Sequence, residues 1–304
     1  MRVVSIGEIL WDIHGDEEYI GGAPYNFSAH LRRLGHEVYF ISALGKDPRG
    51  DKAFQMMRDS DLSTKFVGQN KTHPTGFVDI TLDVHDSPSF VIHRPAAYDF
   101  PSLSEKEIED IKSLEPKWLY FGTMPQMSSV SRDLTAKLRH ALPHTKCFYD
   151  INMRTGHYRA ELIEELLQAA SILKINRDEV TLCCSLFHRE PMELNEFAAW
   201  VVSHYGLDGV FITMAEAGCM AYIEGQVIES PGYTVEVADP VGAGDAFAAA
   251  VLHGMNKEWP LHQTCNFANQ LGAYVASKKG AVPSWTPKDI HNLSVMHDTY
   301  SHKE

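Results

Sequence analysis

From Pro101 to about Met214 the chain alternates between short apolar runs and longer stretches of helical periodicity. The runs are "KWLYFG", "TKCFYDI", "SILKIN" and "GVFITM", and a stretch long enough for a helix separates each from the next. Such alternation predicts βαβ units, whose parallel strands form a sheet with helices on both faces. We therefore expect an α/β fold with a mostly parallel central sheet.

The amino-terminal part fits the same fold class. "RVVSIG" and "EVYFISALG" are short and rich in β-branched residues, which favours buried strands. "PYNFSAHLRRLG" lies between them and is typical of a helix, with Pro24 in the first turn and Gly35 at its end. Two long helices are expected to close the chain, one after Gly244 and one from Leu261 to about Lys278.

One segment departs from the alternation. "TKFVGQ", "TGFVDITL" and "SPSFVIH" follow one another without helices, which predicts a small antiparallel sheet set apart from the main one. With the edge strand expected in "DEEYIGG", this sheet would form a lid over about 13–22 and 64–98. "GCMAYIEGQVIE" predicts a hairpin. No linker interrupts the pattern, so we expect a single domain over 1–304.

Composition narrows the classes of partner. The 304 residues are 44% hydrophobic and 22% charged, as in an ordinary globular enzyme, and carry a formal net charge of -13. Such an acidic chain is a poor candidate for binding nucleic acid or an anionic membrane. Five cysteines without a C-x-x-C pair favour a reducing compartment. Because no apolar stretch reaches the length of a bilayer span, and the first residues do not resemble a signal peptide, we expect a cytoplasmic protein.

The stretch "PVGAGDAFAAAVLHG" carries the first chemical signal. Gly242 and Gly244 would let the chain turn sharply into a helix whose free N–H groups suit the oxygens of a phosphoryl group in transfer. Asp245 follows at once, and a carboxylate there could accept the proton of an attacking hydroxyl group. The alternative is a glycine turn in which Asp245 only satisfies N–H groups of the first helical turn. This stretch alone does not separate the two.

Further motifs shift the balance toward catalysis. "GGAPYNFSAHLRRLG" and "DPVGAGDAF" resemble the two signature regions of the ribokinase-like, or PfkB, family of sugar kinases, the second of which has the form D-T-x-G-A-G-D. "NRDEV" resembles the family's N-x-x-E element, and "FANQLGAYVASKKGAVPS" its last helix and loop on the nucleotide side. These motifs follow the family's order from Gly7 to Ser284. The resemblance implies the ribokinase-like three-layer fold and an ATP-dependent kinase.

By this resemblance Asp245 is the catalytic base, and the main chain of Gly242, Ala243 and Gly244 forms the anion hole. The resemblance also implies ATP and Mg²⁺ as cofactors. The residues implied on the nucleotide side are Asn176, Glu179, Thr213, Gly218 and Asn269. Glu179 would meet Mg²⁺ through water, because this ion keeps part of its hydration shell. Asp239 would lie at a site for a monovalent cation, K⁺, which the family often binds.

Sugar binding would fall mainly to the amino-terminal half. The residues implied are Asp12, Gly21, Gly22, Asn26, Arg94, Tyr98, Asn152 and Arg154. Several of these have simpler interpretations, since Asn26 could be only a helix cap and Arg154 only a solvated side chain. "GEILWD", "RPAAYD" and "DINMR" most resemble the fructokinase branch, so a primary hydroxyl group of fructose is the expected acceptor. Closure of the lid would exclude water from the reaction.

Two departures from the family pattern concern the nucleotide side. Pro240 stands where the second signature often has threonine, and Ala215 in "TMAEAG" stands where glycine is common. If the chain needs a positive φ at that point, alanine would be strained.

The sequence leaves two alternatives to a fructokinase open. The protein could phosphorylate another small polyol: ribose, 2-keto-3-deoxygluconate or a nucleoside. It could also be a catalytically silent protein that binds sugar or nucleotide, since a fold does not establish activity. A phosphosugar would require a basic pocket, for which Arg94 is one of few candidates. An exposed lid edge could support a homodimer.

Overall fold

The computed structural model describes residues 1–82, 88–290 and 292–293, and it divides the chain into two units, Met1–Lys146 and Cys147–Glu304. The single domain over 1–304 stays a prediction. The strands are β1 (Arg2–Ile6), β2 (Leu10–His14), β3 (Glu17–Gly21), β4 (Glu37–Gly45), β5 (Ser63–Asn70), β6 (Gly76–Leu82), β7 (Pro88–Ile92), β8 (Trp118–Gly122), β9 (Lys146–Asp150), β10 (Ile172–Asn176), β11 (Gly209–Thr213), β12 (Cys219–Ile223) and β13 (Gln226–Ser230).

The helices occupy the stretches between the strands, as the alternation predicts. They are α1 (Ala23–Arg33), α2 (Pro48–Asp59), α3 (Glu105–Ser113), α4 (Ser129–Ala141), α5 (Ala160–Ala169), α6 (Arg177–Leu186), α7 (Leu194–Tyr205), α8 (Ala243–Asn256) and α9 (Leu261–Ala276). The fold class is therefore confirmed: an α/β protein with a large, mostly parallel sheet flanked by helices, and a smaller separate sheet.

In the amino-terminal unit, β8, β1, β4 and β5 lie side by side and run parallel. All residues of β1 except the first are buried, and apart from one serine these buried residues are apolar. Helix α1 begins after Gly22, whose φ of 107° is a backbone conformation that favours glycine, and Pro24 occupies its first turn.

The small sheet differs from its prediction in two ways. Its order is β3-β2-β6-β7, and it is mixed, because β2 pairs with β6 in parallel while the other two pairs are antiparallel. The assignment of 64–70 to the lid is wrong, since β5 pairs with β4 in the large sheet. The residues 83–87, which the lid prediction also included, lie outside the described residues.

In the carboxy-terminal unit, β9, β10 and β11 are parallel neighbours, and β12 and β13 add the predicted antiparallel hairpin. Helices α8 and α9 are the two predicted closing helices. The five cysteines are buried thiols without disulfide bonds. In the described part of the chain, no helix combines the length and apolar character that crossing a bilayer would require.

Candidate active site

The amino terminus of α8 is built by two glycines that serve different purposes. Gly242 caps the helix in the left-handed conformation, with φ at 83°, and a Cβ there would lie 2.5 Å from the carbonyl oxygen of Ala281. Gly244 already belongs to the helix, and a Cβ there would lie 2.9 Å from the Nζ atom of Lys174. The first glycine therefore makes the sharp turn, whereas the second leaves room for a close approach.

Asp245 lies in the first turn of α8 and is 8% exposed. A negative charge at this end of a helix is stabilised by the helix dipole. The next nine residues of α8, from Ala246 to Gly254, are buried as well, so the carboxylate lies at the start of a long buried helix. Burial of a carboxylate at a glycine turn is compatible with both sequence interpretations, catalytic base and helix cap.

A buried ion pair lies in the strands beside this turn. Lys174 and Asp150 stand opposite each other on β10 and β9, and Nζ lies 3.1 Å from Oδ1 of Asp150. Burial alone would lower the pKa of Lys174, but the carboxylates of Asp150, Glu179 and Asp245 outweigh burial and raise it above its ordinary value. The lysine therefore stays charged. Neither Lys174 nor Asp150 is among the predicted site residues, although a single lysine inside "SILKIN" was a visible signal.

The predicted pair Asn176 and Glu179 forms a reciprocal cap at the start of α6. The Asn176 side chain accepts a hydrogen bond from the Glu179 N–H at 2.8 Å, and Oε2 of Glu179 accepts one from the Asn176 N–H at 2.9 Å. Oε1 of Glu179 accepts the N–H of Met153 at 2.7 Å. Burial raises the pKa of Glu179, an effect that the Lys174 ammonium partly offsets. Each carboxylate oxygen of Glu179 has a second lone pair, so it could also accept a hydrogen bond from a water molecule that is bound to a metal ion.

The remaining nucleotide-side residues hold loops together. Nδ2 of Asn269 donates to the carbonyl oxygens of Ser230 and Pro231, both at 3.0 Å, and to the Ser230 hydroxyl at 3.2 Å. Gly218 has a φ of 94°, and a Cβ there would lie 2.1 Å from the Ser230 carbonyl oxygen. Thr213 ends β11 and is half-buried. These contacts fix the loop, and direct roles in nucleotide binding stay predictions.

Asp239 connects two loops of the carboxy-terminal unit. Its Oδ1 accepts the N–H of Val241 and its Oδ2 accepts the N–H of Gly280, each at 3.0 Å. The carboxylate therefore joins the segment before α8 to the segment after α9. A role toward a monovalent cation stays a prediction.

Two predicted residues follow β9. Asn152 is half-buried and has a φ of 34°, a positive value that asparagine tolerates better than most residues. Arg154 is exposed. Its carbonyl oxygen accepts the N–H of His157 at 2.8 Å in a turn. Its role as a sugar or phosphate contact stays a prediction.

In the amino-terminal unit, β2, β3 and the start of α1 bring four predicted sugar-binding residues together. A Cβ on Gly21 would lie 2.4 Å from Oδ2 of Asp12, so the carboxylate covers this glycine. Asn26 is buried, and its N–H donates to the Gly22 carbonyl oxygen at 2.8 Å. Glu8, which is not among the predicted site residues, accepts the N–H of Ala23 through Oε1 at 3.2 Å.

The last two predicted sugar contacts are engaged inside the amino-terminal unit. The Arg94 guanidinium group donates to both oxygens of Asp99 and to the Met124 carbonyl oxygen at 2.9 Å, and the two side chains of this ion pair are 14% and 3% exposed. Tyr98 is fully buried, and burial raises the pKa of its phenol. Their roles as sugar contacts stay predictions.

Among the described residues, no group of three or more His, Cys, Asp or Glu side chains is arranged to hold a metal ion. Mg²⁺ does not require such a cage, since it is often bound by one or two carboxylates, water and the phosphates of a substrate. The oxygen donors of Glu179 and its neighbours fit that mode of binding.

A parallel α/β sheet that leads into a glycine turn, a helix amino terminus and a buried carboxylate is typical of enzymes that handle phosphate groups. The chain belongs to the pfkB family of carbohydrate kinases, whose family model matches residues 4–289. The predicted family is thereby confirmed.

Known proteins resemble the chain over almost its whole length. Probable fructokinase-5 of Arabidopsis thaliana is 27% identical over 322 residues, covering 96% of each chain. The crystal structure of the uncharacterized sugar kinase PH1459 from Pyrococcus horikoshii in complex with ATP is 26% identical, with a TM-score of 0.76 over 96% of this chain and 99% of that chain. The fructokinase of Xylella fastidiosa with bound ATP has a TM-score of 0.85 at 20% identity, over 98% and 99% of the two chains. The ribokinase-like fold is confirmed by these likenesses.

Proposed function

We propose that this carbohydrate kinase transfers the γ-phosphoryl group of ATP to a primary hydroxyl group of a small sugar, with fructose as the expected substrate. The observation that carries the proposal is the buried carboxylate of Asp245 in the first turn of α8, directly behind the glycine turn. The similarity to fructokinases and to an ATP-bound sugar kinase supports the choice of donor and acceptor.

In the proposed reaction Asp245 accepts the proton of the acceptor hydroxyl group as its oxygen attacks the γ-phosphorus. The bond from this phosphorus to the β–γ bridging oxygen breaks, and ADP leaves with the electron pair of that bond. The main-chain N–H groups at the start of α8 stabilise the charge on the transferred group. Mg²⁺, with Glu179 reaching it through water, would neutralise the oxygens of the triphosphate.

A neutral sugar fits the charges of the amino-terminal unit better than a phosphosugar. Arg94, the cation that could have met a sugar phosphate, is neutralised by Asp99. His93 lies 2.7 Å from the carboxylate of Asp79, and Arg49 is paired with Glu18. A cation that is already paired with a carboxylate attracts a phosphate group weakly.

The decisive assay is a panel of acceptors with ATP and Mg²⁺, followed by the release of ADP. It contains fructose, fructose 6-phosphate, ribose, mannose, 2-keto-3-deoxygluconate and inosine. We expect turnover with fructose and none with fructose 6-phosphate. Turnover with another member alone would contradict the choice of fructose and leave the kinase activity standing. A thermal shift by sugar or ATP without any turnover would instead favour a silent binding protein.

Asp245→Asn tests the role of the base. The amide cannot accept the proton, so kcat should fall by at least about 10²-fold, the usual scale for a general base. Asp178→Asn is the matched control, because Asp178 lies in the first turn of α6 but is exposed. Wild-type turnover in Asp245→Asn would refute the assignment.

A further inference from the structure

Lys174 is a charged residue for which the proposed reaction has no use, and it is 6% exposed. It stands within β10 between two buried apolar residues, Leu173 and Ile175. Burying an ammonium group is costly unless opposite charges surround it. The charge at this strand position therefore requires partners of opposite charge, and these are carboxylates.

One ammonium group faces three carboxylates. Asp150 contacts Nζ directly at 3.1 Å, and Glu179 and Asp245 interact with it electrostatically. Asp150 is fully buried, and Glu179 is 6% exposed. Among the described residues, these carboxylates do not belong to a group of His, Cys, Asp or Glu side chains that could hold a metal ion. Without Lys174 the three carboxylates would repel one another in a medium of low polarity.

The lysine also contacts the helix that carries the proposed base. A Cβ on Gly244 would lie 2.9 Å from Nζ and 3.7 Å from Cε of Lys174. Gly244 does not have a positive φ, so a larger residue at this point would press on the lysine side chain and would not strain the backbone. The ammonium group thus packs against the residue that precedes Asp245.

We propose that Lys174 is a positioning residue, the internal counter-charge that holds the carboxylates of Asp150 and Asp245 around the first turn of α8 before any nucleotide binds. The inference rests on the proposed function in so far as Asp245 is the base. It adds that the geometry of this base depends on a cation supplied by β10. The lysine acts through its neighbours and needs no contact with the substrate.

The test compares Lys174→Met, which removes the charge at nearly constant length, with Lys174→Arg, which keeps it. In nucleotide-free protein, Lys174→Met should accelerate amide hydrogen exchange from Ala246 onward, where the N–H of Ala246 bonds to the Gly242 carbonyl oxygen and closes the first turn of α8, because a local opening becomes easier. Its kcat should fall by about 10²-fold, the scale on which a small misplacement of a catalytic group acts. The KM for the sugar should stay nearly unchanged. Lys174→Arg should restore slow exchange and part of kcat.

A double variant separates positioning from simple stability. Asp150→Asn combined with Lys174→Met removes the ammonium group together with its nearest carboxylate, so slow exchange and part of kcat should return relative to Lys174→Met alone. Faster exchange spread evenly over the carboxy-terminal unit, or wild-type kcat in folded Lys174→Met, would overturn the proposal. If Lys174→Met does not fold, the double variant and Lys174→Arg decide by the same two measurements.

The exchange measurement requires neither sugar nor turnover. Absence of sugar phosphorylation by the wild-type protein would therefore refute the proposed function alone. Unchanged exchange at Ala246 in Lys174→Met would refute the role of the lysine alone.

Discussion

Ala215→Gly should make the protein more stable, although it removes a side chain from a loop of the nucleotide side. Ala215 has a φ of 50°, in the left-handed region that only glycine enters without strain, and it is exposed, so its methyl group contributes little packing. An L-residue in this region costs about 1–2 kcal/mol. Glycine removes that cost but loses about 0.5–1 kcal/mol through the greater freedom of its unfolded chain.

The balance is a gain of about 0.5–1 kcal/mol in the free energy of unfolding. For a chain of this size that corresponds to a rise of about 1–3 °C in Tm. Calorimetry or circular dichroism on both proteins measures the shift. KM for ATP, measured alongside, shows whether the strain affects the nucleotide site to which the sequence motif belongs.

Ala217→Gly is the matched control. Ala217 belongs to the same short helical turn and is also exposed, but its φ is not positive. Here glycine relieves no strain, and only its entropic cost of about 0.5–1 kcal/mol remains. The two substitutions should therefore shift Tm in opposite directions. Equal losses in both variants would refute the argument from backbone strain.

Two further predictions concern carboxylates of the amino-terminal unit. Asp99→Asn leaves the Arg94 cation buried without its charged partner, so the free energy of unfolding, measured with urea, should fall by about 3–5 kcal/mol. Asp79→Asn, beside the half-exposed His93, should lower it by less than about 1 kcal/mol. Similar losses in the two variants would contradict this contrast. Burial tends to raise the pKa of Asp47, but hydrogen bonds from main-chain N–H groups outweigh it and lower the pKa below its ordinary value. The stability that this lowered pKa contributes is present above the ordinary pKa and is lost as pH falls through the lowered pKa. Asp47→Asn should therefore flatten the acid side of the curve of stability against pH. An unchanged curve would refute this prediction.

Local signals explain what the sequence predicted well. Pro24 and Gly22 mark the start of α1, and Gly242 marks the start of α8, because proline and glycine act on the backbone of their own neighbourhood. The strain expected at Ala215 is confirmed by its positive φ for the same reason. These are features that a few adjacent residues determine.

Features that depend on strands or charges far apart in the chain could not be predicted from the sequence. The alternation in β5 indicates a strand but not its partner, so β5 was assigned to the small sheet although it pairs with β4. The ion pair of Lys174 and Asp150 depends on the register of β9 and β10, which the motifs do not contain. Arg94 was selected for its charge, and only the structure reveals the carboxylate of Asp99 that neutralises it.

The bridge formed by Asp239 makes the length of one loop matter more than its composition. The carboxylate reaches Gly280 across 41 positions of sequence, and the next residue, Ala281, packs against the glycine that caps α8. An inserted or deleted residue between α9 and Ala281 would shift both contacts at once, because main-chain atoms of Gly280 and Ala281 make them. The number of residues in this segment is therefore constrained more tightly than the side chains that it carries.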